Sequence, residues 1–210
     1  MSQTPLGYNT VYPQAYVPPV TGGKLGGNTG DAQGSLIVSQ YHGTKYRAAY
    51  LGNLFSAANQ ASVTTSAALA TTYVGLCISN PAASGKVLAV RNVTGVLGVA
   101  VAAGTFFQLI YGYAAGGITV HTTPVTPTPG YLNSANTPVG LVDAACTLVG
   151  TPTWGTPLYG AGTTTSLGSF VVDLGGAIII PPGGYLAIGT NIAGPAAGFR
   201  GGFEWGEYPL

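Results

Sequence analysis

An all-β fold, an antiparallel β-sandwich or jelly roll preceded by an extended N-terminal arm, is what this sequence predicts, and three observations predict it. First, the 210 residues include 34 glycines and 15 prolines, which cut the chain into about ten to twelve short apolar runs, the spacing of a two-sheet domain. Second, only 5% of residues are charged, against roughly 25% in an average soluble domain, so the Lys, Glu and Asp that favour solvated helix faces are scarce. Third, Ser169–Thr190 (SFVVDLGGAIIIPPGGYLAIGT) places two apolar runs either side of Pro181-Pro182-Gly183-Gly184. Proline cannot donate to a ladder and glycine supplies the backbone angles of a tight reversal, so this stretch reads as a hairpin. Within it, Asp173-Leu174-Gly175-Gly176 reads as a turn and Ala177–Ile180 as a strand buried on both faces.

In chain order, residues 1–34 form the first unit and residues 35–210 the second, the sandwich. The first unit holds Pro5, Pro13, Pro18 and Pro19, then paired glycines from Gly22 onward, a density that opposes helix and central strand alike. Tyr8, Tyr12 and Tyr16 recur through it. A disordered tail is one reading of this composition; the other, favoured because a plain linker does not need aromatics and tyrosine buries area at low entropic cost, is an arm that orders on docking with these three as the candidate partner-binding anchors.

From Ser35 the pattern turns to β. SLIVSQY and KYRAAYL read as short strands around His42-Gly43-Thr44, followed by NLFS. SAANQASVTTSAALATTY is rich in alanine, but its Ser and Thr content argues against a stable helix, so a loop or irregular strand is expected. YVGLCIS is a strand, Asn80–Gly85 a plain turn, and KVLAVRNV alternates, with Leu88 and Val90 on one face and Val87, Ala89 and Arg91 on the other. No charge lies between Arg91 and Asp143. The apolar first half of that stretch is long enough to suggest a membrane span, but its glycines divide it into strand lengths, and GVAVAAG (98–104) and TFFQLIYGY predict two packed strands. ITVHTT, GLVDAACTLVG and TPLYGAG are further strands, PVTPTPGYLNSANTP a proline-rich surface loop. GFRGGFEWGEYPL closes the chain with Phe199, Phe203 and Trp205 at period two.

Chemistry finds little to work with. There is no GxSxG elbow, and His121 has no acid near it in sequence, so it reads as a structural strand histidine. Ser84-Gly85-Lys86 lacks the rest of a phosphate loop. Glu204 and Glu207 fall on opposite sides of a strand and read as solvent or subunit-interface charges. His, Cys and acids are dispersed, so no catalytic residue, cofactor site or metal site is expected. Cys77 and Cys146 read as small buried hydrophobes, with a single bridge between adjacent strands still open. The net charge of +1 gives no nucleic-acid footprint. MSQTPLGYNTVYPQ lacks the basic start and apolar core of a signal peptide, so assembly in a cytoplasm is expected.

The series GNLFSAANQ (52–60), GLCISNPAASGKVLAV (75–90), IIIPPGGYLAIGT (178–190) and GFEWGEYP (202–209) resembles virion structural proteins of tailed bacteriophages of the jelly-roll type: capsid decoration or cement proteins, head fibres and spikes. The resemblance covers most of residues 41–209 and leaves the arm outside. It implies a homo-oligomer, a trimer, made in the host cytoplasm and located in the virion. Such a subunit is non-enzymatic and binds the major capsid protein or another virion protein, but no nucleic acid and no membrane. The expected function is to stabilise the shell through subunit packing and the arm. The alternative is a receptor- or glycan-binding module of a fibre, spike or tail, with Trp154, Tyr159 and Tyr131 as the candidate contacts.

Overall fold

The computed structural model describes residues 44–210, apart from 68, 102, 163–167 and 193–197. Tyr8, Tyr12, Tyr16, His42 and the 34/35 boundary lie outside the described residues. Residues 44–210 form one compact unit, and among the described residues it holds one short helix, α1 (Thr44–Tyr50), and eleven strands. These are β1 (Leu54–Ala58), β2 (Thr72–Ser79), β3 (Lys86–Leu97), β4 (Thr105–Tyr113), β5 (His121–Val125), β6 (Thr128–Pro129), β7 (Leu141–Thr147), β8 (Thr153–Ala161), β9 (Ser169–Ile180), β10 (Gly184–Thr190) and β11 (Phe199–Pro209).

The strands make two antiparallel sheets, ordered β6-β1-β11-β3-β9 and β5-β7-β2-β10-β4-β8. The pairing has a simple rule. β1 pairs with β11, β2 with β10, β3 with β9 and β4 with β8, so these eight strands form one long antiparallel ribbon whose two arms run from the β1–β11 end to the β4–β8 end. Each arm alternates between sheets, and the wrap closes through the additional pairs β3–β11 and β4–β10. That is the jelly-roll winding. β5, β6 and β7 are an insertion at the ribbon's closed end; β5 and β7 widen one sheet beyond β2, and β6 widens the other beyond β1.

Inward-facing residues of both sheets make the main core. Phe107 is its hub, with ring centroids 5.4 Å from Phe199, 5.7 Å from Phe170 and 6.4 Å from Tyr159. Trp205 and Phe55 belong to the same core and pack on each other with ring centroids 6.1 Å apart. Phe199, Phe203 and Trp205 are all buried, as the alternation in the closing strand requires. A second apolar cluster includes Tyr73, Cys77, Ile110, Cys146, Leu148 and Tyr185. In β3, Leu88 and Val90 are buried, but so is Val93. Arg91 is an extra residue relative to β11, since Glu204 pairs with Asn92 and Trp205 with Val90. One inserted residue flips the face parity.

Several sequence expectations are corrected. Residues 169–190 are not a hairpin: β9 and β10 belong to different sheets, so Pro181–Gly183 is a crossover. Asp173–Gly176 does not turn the chain. β9 is continuous, with Gly175 (φ 59°) and Gly176 (φ 85°) in a wide bulge. Val90 pairs with Ile178 and Asn92 with Asp173, so Arg91 alone stands opposite residues 174–177. Ala177–Ile180 is not buried on both faces, because β9 is an edge strand and Ile179 is 58% exposed. KYRAAYL is helix rather than strand. Tyr46 and Tyr50 stack at 6.1 Å one turn apart, and Gly52 (φ 73°) ends the helix with its N–H donating to Ala49 O at 2.9 Å. The described residues of GVAVAAG (98–104) are not strand: β3 ends at Leu97, where its partners β9 and β11 begin. ITVHTT lies three residues early, since the strand starts at His121.

Asn80–Gly85 is more than a plain turn. Asn80 is fully buried; its Nδ2 donates to Lys86 O at 2.8 Å and Ile180 O at 3.0 Å. Its backbone exchanges bonds with Gly183 and Gly184, so one residue ties the β2–β3 crossover to the β9–β10 crossover. Sheet edges are guarded throughout. Pro124 lies in β5, Pro129 in β6, Pro157 in β8, and the Gly175–Gly176 bulge with Asp173 interrupts β9, devices that discourage edge-to-edge pairing.

Candidate functional site

The pairing of β5 with β7 brings together two residues that are 22 positions apart. His121 Nδ1 lies 2.7 Å from Asp143 Oδ2, and His121 Nε2 lies 3.1 Å from Ile118 O. Asp143 is buried. Burial pushes its carboxyl above the ordinary Asp value, opposed by the hydrogen bond and charge of His121. Both ring nitrogens are occupied by partners within the chain, Asp143 on one side and the Ile118 carbonyl on the other. The pair is a clamp that holds the entry to β5 against β7. Cys77 sits opposite Asp143, and Cys146 opposite both His121 and Tyr73. Both cysteines are buried free thiols on the adjacent strands β2 and β7. Burial and the neighbouring Cys146 push the Cys77 thiol well up, which leaves it inert as a nucleophile. Among the described residues no three His, Cys, Asp or Glu side chains converge as metal ligands.

Glu204 and Glu207 do face opposite ways, but only Glu204 reaches the surface. It meets Lys45 at 3.0 Å. With its amide oxygen turned toward Lys45 Nζ (2.7 Å), Asn92 also reaches Asp173 Oδ1 at 3.3 Å. The Glu207 side chain is fully buried, which corrects the expectation of a solvent or interface charge. It accepts from Val139 N at 2.9 Å, Gly140 N at 2.9 Å and Trp205 Nε1 at 3.2 Å, and pairs with Lys86 at 3.2 Å. The insertion loop is thereby fastened to β11. Arg91 donates to Tyr208 OH at 2.7 Å and Arg200 to Ser62 Oγ at 3.1 Å. The four described acidic side chains are thus engaged within the chain, and the outer surface carries few charged side chains, Arg47 and Arg200 among them.

What it carries instead is apolar. Tyr46, Tyr50 and Tyr131 form an exposed ladder, with Tyr50 and Tyr131 rings 6.2 Å apart, flanked by exposed Leu51 and Leu132. Val96 and Val171 are exposed at diagonal positions of the β3–β9 pair. Of the three residues proposed from sequence as ligand contacts, only Tyr131 is exposed; Tyr159 packs on the main core and Trp154 on the second cluster. Sequence reasoning missed Tyr46 and Tyr50, whose i,i+4 spacing was the available signal.

The structure also has a concavity of about 570 Å³ where the ends of β4 and β9 meet the Gly150–Thr153 segment. Tyr111 and Tyr113, Thr151 and Thr153, and Ile178–Pro181 line it. Comparison with protein-family models, curated proteins and solved structures finds no match to this chain.

Proposed function

We propose that this chain is a non-enzymatic structural subunit of a bacteriophage particle, a decoration or cement protein that associates with copies of itself as a trimer and packs against the shell. One observation carries the reading: charged side chains are few and the described acidic ones are engaged within the chain, while large apolar side chains, above all the Tyr46–Tyr50–Tyr131 ladder, are turned outward. A contiguous apolar patch on a weakly charged surface suits burial by a neighbouring subunit. Because the sheet edges are guarded, association through side-chain faces is favoured over strand addition. Symmetric repetition then multiplies a modest affinity per contact.

Native mass at sub-micromolar concentration tests the reading. A trimer that falls apart in the Tyr50→Ala/Tyr131→Ala double variant is the expected result. A folded wild-type monomer that persists to tens of micromolar, a range in which modest interfaces already associate, overturns self-association through this patch.

A further inference from the structure

We propose that the cleft between the ends of β4 and β9 is a binding site for a neutral saccharide, a site distinct from the Tyr46–Tyr50–Tyr131 ladder. At about 570 Å³ it has the size of small-ligand clefts, roughly 300–1,000 Å³. No Lys, Arg, Asp, Glu or His lines it, so an ionic ligand would give up its hydration without a counter-charge. Its walls combine two kinds of surface that a sugar ring presents in mirror image: flat apolar faces and hydroxyls.

The flat faces are tyrosines, one of them seated on a glycine. A Cβ at Gly155 would fall 1.4 Å from Tyr111 Cε2, so the Tyr111 ring lies directly on the bare backbone of β8. Its hydroxyl is held 3.2 Å from Thr156 Oγ1. Tyr113 is 59% exposed, and its Cε2 would lie 3.4 Å from a Cβ at Gly183. The Tyr111 ring, fixed in this way, offers contact area with little entropy left to lose, which favours stacking against the C–H face of a pyranose, and the exposed Tyr113 ring adds a second apolar face. The floor, Ile178, Ile180 and Pro181, is apolar.

The hydroxyls are available. Tyr113 and Thr151 side chains meet no hydrogen-bond partner among the described residues, and Thr153 Oγ1 makes only a long bond of 3.5 Å to Tyr111 O. A purely apolar occupant would desolvate these groups without replacing their bonds, whereas sugar hydroxyls replace them. A prolyl or aromatic side chain of a partner protein would use the aromatic walls but not the hydroxyls.

Ligand-observed NMR on the full chain tests this. The probes are the methyl glycosides of glucose, galactose and N-acetylglucosamine, with N-acetylneuraminate as the anionic control and a peptide of residues 5–20 as the protein-type competitor. The expected result is millimolar binding of at least one neutral glycoside, the strength typical of a single ring in an open cleft, weakened about tenfold in Tyr113→Ala. Thr151→Val should weaken it severalfold, and Tyr131→Ala, on the separate ladder, should leave it unchanged. Both substituted cleft residues are exposed, so the variants should keep the wild-type unfolding midpoint. No neutral glycoside bound at tens of millimolar, binding indifferent to Tyr113→Ala, or Tyr113-dependent binding of the peptide alone would each overturn the proposal. None of these outcomes bears on the trimer, which native mass reads separately.

Discussion

Glu207 shows at the scale of one residue how a chain with so few charges uses them. Its carboxylate is buried against two backbone N–H groups, the Trp205 indole and Lys86. Truncation strands three donors in the interior, each worth about 1–3 kcal/mol when left unpaired. Glu207→Ala should therefore lower stability by roughly 3–5 kcal/mol, read by urea unfolding through the buried Trp205; a change within error would mean that water replaces the carboxylate. Asp143 makes a different demand. Burial raises its native pKa above the unfolded value, so the native state binds the proton more tightly. The stabilisation linked to this proton is complete below the ordinary Asp value, about 3.9, and is lost as pH rises through the higher native value. Asp143→Asn removes that titration, so the stability difference between wild type and variant should move against the wild type as pH rises over this window. A pH-independent difference would show that His121 cancels the burial effect. Neither role was legible in sequence. Glu207 bonds to residues 67 and 68 positions away, and His121 meets Asp143 only through strand register. The closing aromatics were legible, because alternation along one strand is a local signal.

Strands announce themselves through local runs, and most of the eleven stand where apolar runs bounded by glycine or proline put them. Their connections do not. Pro181–Gly183 has the composition of a hairpin turn, yet the same residues make a crossover, because β9 finds its partner in β3 and β10 finds its partners in β2 and β4. The Gly175–Gly176 pair looked like a turn for a related reason: both residues have positive φ, which turns and bulges share. The element therefore makes a sharp test. A Cβ at Gly175 meets nothing within 4 Å, so only backbone strain opposes substitution. Gly175→Asn should cost under about 1 kcal/mol, since asparagine tolerates this conformation, and Gly175→Val about 2 kcal/mol or more. Equal costs would mean that the bulge relaxes to ordinary strand geometry. The crossovers carry a second test. Asn80→Ala deletes the amide that bonds Lys86 O and Ile180 O and should destabilise by roughly 2–3 kcal/mol in thermal unfolding. A smaller loss would make the backbone bonds with Gly183 and Gly184 sufficient on their own.

The ribbon winding could not be read from any window of sequence, since β1 pairs with β11 across nearly the whole described unit. This same feature decides how the molecule holds together. β11 is the last of the eleven described strands, and it sits in the interior of its sheet, hydrogen-bonded to β1 on one side and β3 on the other. It also supplies Phe199, Phe203 and Trp205 to the core and Glu207 to the insertion loop. Without it the five-stranded sheet separates into β6-β1 and β3-β9, and the inner face of the other sheet loses its cover. Removal of Phe199–Leu210 should thus abolish cooperative unfolding and near-ultraviolet circular dichroism altogether. Removal of Leu210 alone, an exposed residue at the end of the chain, should change stability by no more than about 0.5 kcal/mol. The ribbon also predicts slow folding. Loops must close before their pairings contribute, so refolding should fall in the millisecond-to-second range or slower, as in other sandwiches dominated by non-local pairs. A truncated chain that still unfolds cooperatively would show that β11 is dispensable, and with it the ribbon as the unit that holds the sandwich closed.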